Sequence, residues 1–255
     1  MALRLAVAAL VLALVGAAGY YVLRPYFEKP PAPPPPVLRG AEPPKAGPQF
    51  PIGGDAKPLP KLGESDPALR EGIAGLVDPQ SLAKFFNLDD GIRRIVATVD
   101  NLSREHLARR VNVIQPLGGA FLVTGKDEGL VIDAKNSARY VPFVRMVEAV
   151  DTSKAVAAYV YLYPLFQQAF VELGYPDGYF NDRLVEVIDH LLEAPEPKGP
   201  VKLVTPHVLY EYADHELENL SSGQKMMIRV GPENESRLKV KLKELRAAVV
   251  AAASR

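Results

Sequence analysis

The densest group of chemically capable side chains in this chain falls in nine residues, Tyr175 to Arg183. Tyr175, Asp177, Tyr179, Asn181, Asp182 and Arg183 crowd around Pro176 and Gly178, which alone would suffice for a turn. Two phenols beside a planar guanidinium offer contact area at low entropic cost, the composition that anchors interfaces. The segment is therefore the candidate binding surface. The competing reading uses the same residues as a helix cap with a local ion pair, or as a buried Tyr–Asp–Arg network that joins helices. Asp182, Glu186 and Asp189 then recur at helical spacing, with His190 at the edge of their face. They could supply an acid/base pair or bind a cation, or they could form the wet face of an amphipathic helix.

Other chemistry is sparse. The four histidines, His106, His190, His207 and His215, show no HExxH or HxH spacing, so no metal site is expected. The chain has no cysteine, which excludes disulfides, thiolate catalysis, Cys-based metal sites and an N-terminal lipid attachment. No Gly-x-Ser-x-Gly or Ser-x-x-Lys nucleophile motif occurs. Gly223-Gln224-Lys225 lacks the flanking residues of a phosphate loop. No cofactor is implied. Tyr159, Tyr161 and Tyr163, with Tyr175, Tyr179, Phe166, Phe170 and Phe180, could stack on a sugar or grip a peptide; at these spacings core packing is the expectation. The alternating Arg237, Lys239, Lys241 and Lys243 are expected on the wet side of the last helix.

The elements that position these residues are mostly helical. Ser65-Asp66-Pro67 opens a helix through Leu76, and Asp78-Pro79 repeats the device for one ending near Phe86. Asp89 to Leu102 carries an apolar stripe of Ile92, Ile95, Val96 and Val99. Phe121 to Thr124 and Leu130 to Ile132 predict two short strands around a Gly-rich turn, and Tyr140 to Val150 a helix. From Ser153 the helix is apolar on nearly every side, so it should be central, with Pro164 kinking or ending it. Beyond Gly174 a helix spans about Tyr179 to Glu193. Val201 to Val204 and Val208 to Tyr212 are strand candidates, Gln224 to Val230 a short helix, and Gly231-Pro232 starts the last. The fold class is mainly α with a small β component, a single helical domain at residues 64–255.

Before it come an anchor and a spacer. Leu5 to Leu23 is uncharged between Arg4 and Arg24, about long enough to cross a bilayer at ~1.5 Å per residue. Residues 1–24 are expected to form an uncleaved membrane anchor; Gly16-Ala17-Ala18 keeps a cleaved signal peptide open as the alternative. Half of the 24 prolines fall between Pro30 and Pro60, so residues 25–63 should be an extended spacer without fixed contacts. The short N-terminal tail favours a single-pass inner-membrane protein with a periplasmic domain. Residues 64–255 hold 23 Lys and Arg against 27 Asp and Glu, a poor surface for nucleic acid.

From Glu64 onward the chain resembles a bacterial family of membrane-anchored proteins catalogued as domain of unknown function number 3014. Carrying the resemblance are Arg94 to Leu102, Tyr163 to Phe170, Leu173 to His190, Gly223 to Lys225 and Gly231 to Asn234. At Ala213-Asp214-His215 the chain departs from the proline expected after that Asp. The resemblance implies an inner-membrane anchor, a proline-rich spacer and this domain, with no assigned activity. The expected function is a membrane-tethered envelope domain that binds a protein or cell-wall partner. A tethered hydrolase using carboxylates of the 179–193 helix is the alternative.

Overall fold

The computed structural model describes residues 47–53, 58–206 and 209–253. The expected anchor at 1–24 and most of the expected spacer lie outside the described residues. Among those described, no helix is long and apolar enough to cross a membrane.

The described residues are mainly helical, with a small sheet component. In chain order the helices are α1 (Asp66–Ile73), α2 (Pro79–Phe85), α3 (Gly91–Leu102), α4 (Asn136–Ala149), α5 (Thr152–Glu172), α6 (Phe180–Leu192), α7 (His215–Glu218), α8 (Ser222–Arg229) and α9 (Pro232–Ala253). Two antiparallel ribbons complete the fold. Strand β1 (Val123–Thr124) pairs with β2 (Val131–Ile132), and β3 (Leu203–Val204) with β4 (Glu211–Tyr212). These strands are shorter than the expected runs; a bridge from Val131 to Lys202 links the ribbons, and their Val123, Ile132, Leu203 and Tyr212 share one apolar cluster.

Helix α5 is central, as its all-round apolarity predicts. Its Leu162, Leu165, Phe166, Ala169 and Phe170 enter one core with Leu69 of α1, Ile92 and Val96 of α3, and Phe180 of α6. Aromatic rings fill the middle: Phe166 stacks on Phe180 at 5.7 Å, and Phe170 on Tyr175 at 4.4 Å. Pro164 does not end the helix, which continues to Glu172. A proline costs ~3 kcal/mol inside a helix, whereas each buried large apolar side chain contributes about 1.5–3 kcal/mol. The buried Leu162, Leu165 and Phe166 on both sides outweigh the missing donor.

The capping of α1 and α3 departs from the sequence expectation. Ser65 does not cap α1; its buried hydroxyl donates to the Leu62 carbonyl at 2.7 Å. Asp66 instead reaches α3, accepting the Asp90 and Gly91 amides at 2.9 Å each. The carboxylate thus satisfies helix-terminal donors from another element. The approach is close, because a Cβ on Gly91 would lie 2.4 Å from Leu69.

Two further expectations are corrected. The basic run of α9 is not all wet. Lys241 is only 6% exposed and donates to the Val150 carbonyl at 2.6 Å and to Thr152 at 2.8 Å. Lys239 donates to the Ala194 carbonyl just past α6 at 2.6 Å. Both cations answer carbonyls at helix ends, while Val240 is left 66% exposed. The spacer boundary also moves. Leu62 is buried, Ile52 and Leu59 pack on the main core, and Phe50 packs in a cluster around Val156, Val185 and Val249. Residues 47–53 and 58–63 therefore make fixed contacts, because their few apolar side chains find pockets between the prolines.

Truncating Phe170 to Ala should cost about 3–5 kcal/mol and lower the thermal midpoint by at least about 6 °C. Acid should also destabilise the fold. Arg237 beside Glu148, Arg93 beside Glu172 and Lys239 beside Glu196 hold these carboxyls below their ordinary value of 4.5. Each contributes stability that is present above that value and lost as pH falls through the folded one. Glu235 acts oppositely, since burial raises its carboxyl and favours the protonated form. Asp78, Asp133, Glu218 and Glu244 are lowered as well, so the thermal midpoint should fall between pH 5 and pH 3 by scanning calorimetry, as ~1-unit windows around carboxylate values imply.

Candidate functional site

One buried carboxylate organises the region that the sequence singles out. Ile92, Val96 and Asp100 lie four apart on α3, so Asp100 shares the core face and is only 2% exposed. Arg183 of α6 gives it Nε at 3.1 Å, and its Nη2 reaches the Asp100 carbonyl at 3.0 Å and Ser103 Oγ at 2.6 Å. Arg104 gives Nη2 to the other carboxylate oxygen at 2.7 Å. The Tyr175 hydroxyl lies 3.1–3.2 Å from both oxygens and receives an Arg104 N–H at 2.5 Å. Burial works against the Arg183 charge, but Glu186 and Asp100 outweigh it and raise the guanidinium value further.

The turn before α6 is held from α5. Gln167 accepts the Phe180 amide and donates to the Gly178 carbonyl, both at 2.8 Å. This side chain serves the helix start in place of a cap from Tyr179, which makes no side-chain cap bond. Asn181 is 0% exposed; its Oδ1 accepts the Tyr159 hydroxyl at 2.9 Å, and its Nδ2 donates to the Phe50 carbonyl at 2.9 Å. Asp182 accepts the amides of Gln49 at 2.9 Å and Phe50 at 2.8 Å. Burial pushes the Tyr159 and Tyr163 phenols up, with the Asp182 charge adding to it, so both stay protonated donors.

The polar face of α6 opens onto a cleft of about 580 Å³. Asp182, Glu186, Asp189 and Glu193 run along it, with His190, Ser103, Arg246 of α9 and the Gln49–Phe50 segment around them. Glu186 takes Arg183 Nη1 at 2.8 Å. Asp189 is held by Arg246 through both oxygens, Nη2 to Oδ2 at 2.8 Å, and this pairing raises the Arg246 value. His190 Nε2 meets Ser221 Oγ at 2.8 Å, while that hydroxyl also accepts the Gln224 amide at 3.2 Å as the cap of α8. Among the described residues, no group of three or more His, Asp or Glu is arranged to hold a metal ion.

The structure thus brings together part of the predicted segment and splits the rest. Tyr175 and Arg183 point into the Asp100 network, Asn181 is sealed inside, and Asp182 is shared between the cleft and the Gln49–Phe50 segment, a strap across the start of α6. Asp177 and Tyr179 are exposed, Tyr179 at 37%. A family match covers residues 91–246, from the start of α3 into α9, and is described as Protein of unknown function (DUF3014). The chain belongs to that family. No curated protein and no solved structure matches the chain. The family span contains Asp100, Arg183, the α6 acids and Arg246, whereas Gln49 and Phe50 lie outside it.

Sequence reasoning missed Asp100, Arg104, Arg246 and the Gln49–Phe50 segment. An acid in register with Ile92 and Val96 was the available signal for the first. A phenylalanine set between Pro48 and Pro51 was the signal for the last.

Replacing Arg183 with Ala strips three donors from the Asp100–Ser103 turn while Arg104 and Tyr175 remain. That should cost about 2–3 kcal/mol in denaturant unfolding. Tyr179→Ala, at an exposed site, should change stability by less than about 0.5 kcal/mol. Equal effects would contradict this division.

Proposed function

We propose that this chain is a membrane-tethered binding module of the cell envelope, with the acidic cleft along α6 as its recognition surface. The partner class is a cationic protein segment or an amine-bearing cell-wall group. One observation carries the reading: four carboxylates line an open cleft whose only lining arginine, among the described residues, is Arg246. The net negative field attracts cations and raises their local concentration.

Binding is favoured over hydrolysis because the carboxylates are already occupied. Asp182 is filled by two backbone amides, Glu186 by Arg183 and Asp189 by Arg246. Carboxylates held in place by such partners form a fixed recognition surface rather than groups free to shuttle protons at a substrate. The tether and envelope location rest on the apolar run from Leu5 to Leu23 and the proline-dense segment after it.

A fluorescent hexalysine peptide should bind the detergent-solubilised chain weakly and lose affinity as salt rises from about 50 to about 500 mM. Glu186→Gln with Glu193→Gln, both exposed, should weaken it at least about fivefold without moving the thermal midpoint. Unchanged binding would remove the cleft from consideration. A C-terminal alkaline phosphatase fusion should be active in cells if the domain is exported; a fluorescent cytoplasmic fusion would overturn the envelope location.

A further inference from the structure

We propose that the N-terminal end of α6 is a receptor for an extended Pro-X-Phe-Pro peptide, and that the chain's own residues 48–51 occupy it as an exchangeable ligand. The site adjoins the cleft but does not depend on the cationic-partner reading.

Backbone bookkeeping makes the case. Pro48 and Pro51 have no amide hydrogen, so Pro48-Gln49-Phe50-Pro51 carries only two amide donors. Both go to one side chain, Asp182, at 2.9 and 2.8 Å, one to each oxygen. The carbonyl between Phe50 and Pro51 accepts the Asn181 amide at 2.9 Å. Neighbouring side chains of α6 therefore read three main-chain groups of one dipeptide.

The receptor is rigid and the occupant is not part of any helix or strand. Asn181 is fully buried and fixed by Tyr159. Phe50 enters a notch whose cluster includes Val156 and Tyr159 of α5, Val185 of α6 and Val249 of α9. Two carboxylate oxygens, one amide and one aromatic notch form a reading frame for an extended peptide. The flanking prolines keep such a peptide extended before it binds, which lowers the ordering cost. A helix-mounted reader serves equally for a segment supplied in trans, because every polar contact is to main chain and only the ring is sequence-specific.

The absence of cysteine permits a clean test in the full detergent-solubilised chain. Gln49→Cys keeps the backbone donor, exposes a single thiol, and carries a spin label on the strap. The probe is the synthetic peptide Gly-Pro-Gln-Phe-Pro-Ile-Gly. Adding it should raise the mobile fraction of the label saturably by about 10 mM, the range in which a short linker holds its own ligand. A peptide N-methylated at the Phe amide, or carrying Ala for Phe, should need at least about tenfold more. In Phe50→Ala, where the strap is weakened, the unmodified peptide should bind at least about tenfold tighter than to the unsubstituted chain. No displacement by ~10 mM peptide, or equal displacement by the N-methylated one, overturns the proposal. The overturning results are read with different peptides on the same labelled chain, so poor folding of Phe50→Ala does not decide the result. Hexalysine failing while this peptide binds would sink the cationic reading alone.

Discussion

The fold of the family domain depends on a carboxylate placed where an apolar side chain is expected. Asp100 sits on the core face of α3, and burying its charge costs several kcal/mol unless donors surround it. The donors come from the segment just past α3, from the turn after α5 and from α6, so satisfying one acid sets three parts of the chain against each other. Apolar packing of α3 on α5 and α6 is non-directional and would tolerate rotation of either helix. A bidentate, angle-sensitive guanidinium does not. Arg183 therefore fixes the rotation of α6 about its axis, and with it the side of α6 that faces outward.

That rotation explains why one helix carries both the acidic cleft and the contacts to Gln49 and Phe50. With Arg183 turned inward, the next residues around the helix place Asn181 against Tyr159 and Asp182 at the rim. Glu186, Asp189 and Glu193 then follow along the open side. The helix start adds to the effect, because an acid in the first turn is favoured by the unpaired amides there. Asp182 nonetheless turns its oxygens to the amides of Gln49 and Phe50 rather than to its own helix.

The helices were legible because their periodicity and punctuation agree. Asp78-Pro79 predicts α2 and its cap, and the Asp78 side chain does accept the Ser81 amide. Gly231-Pro232 predicts the start of α9 despite the strand-like alternation from Arg237 to Lys243. The same alternation misled about solvent. A helix turns 100° per residue, so positions two apart diverge in direction and Lys241 lands on the core side while Val240 does not. The site was legible only as a location. Composition marked Tyr175 to Arg183, but which of its side chains face inward depends on Asp100, 75 or more residues away. The Phe50 contact was hidden for another reason: proline density signals the absence of helix and sheet, and says nothing about a single aromatic docking between prolines.

The acidity of the cleft follows from where the cations are committed. Lys241 and Lys239 serve carbonyls at the ends of α4 and α6, and Lys225 is paired with Glu218 at 2.5 Å. Arg183 divides its donors among Asp100, Ser103 and Glu186, and Arg104 is turned to Asp100 and Tyr175. These interior demands cannot be met by acids, because carbonyls and buried carboxylates need donors. A domain with more acids than bases that sends its cations inward must leave an excess of carboxylates at its surface. They collect along α6, where Arg246 is the only arginine among the described lining residues. The negative field of the cleft is thus a consequence of how the helix ends and Asp100 are satisfied, and any change that freed Arg183 from Asp100 would weaken the field and the fold together.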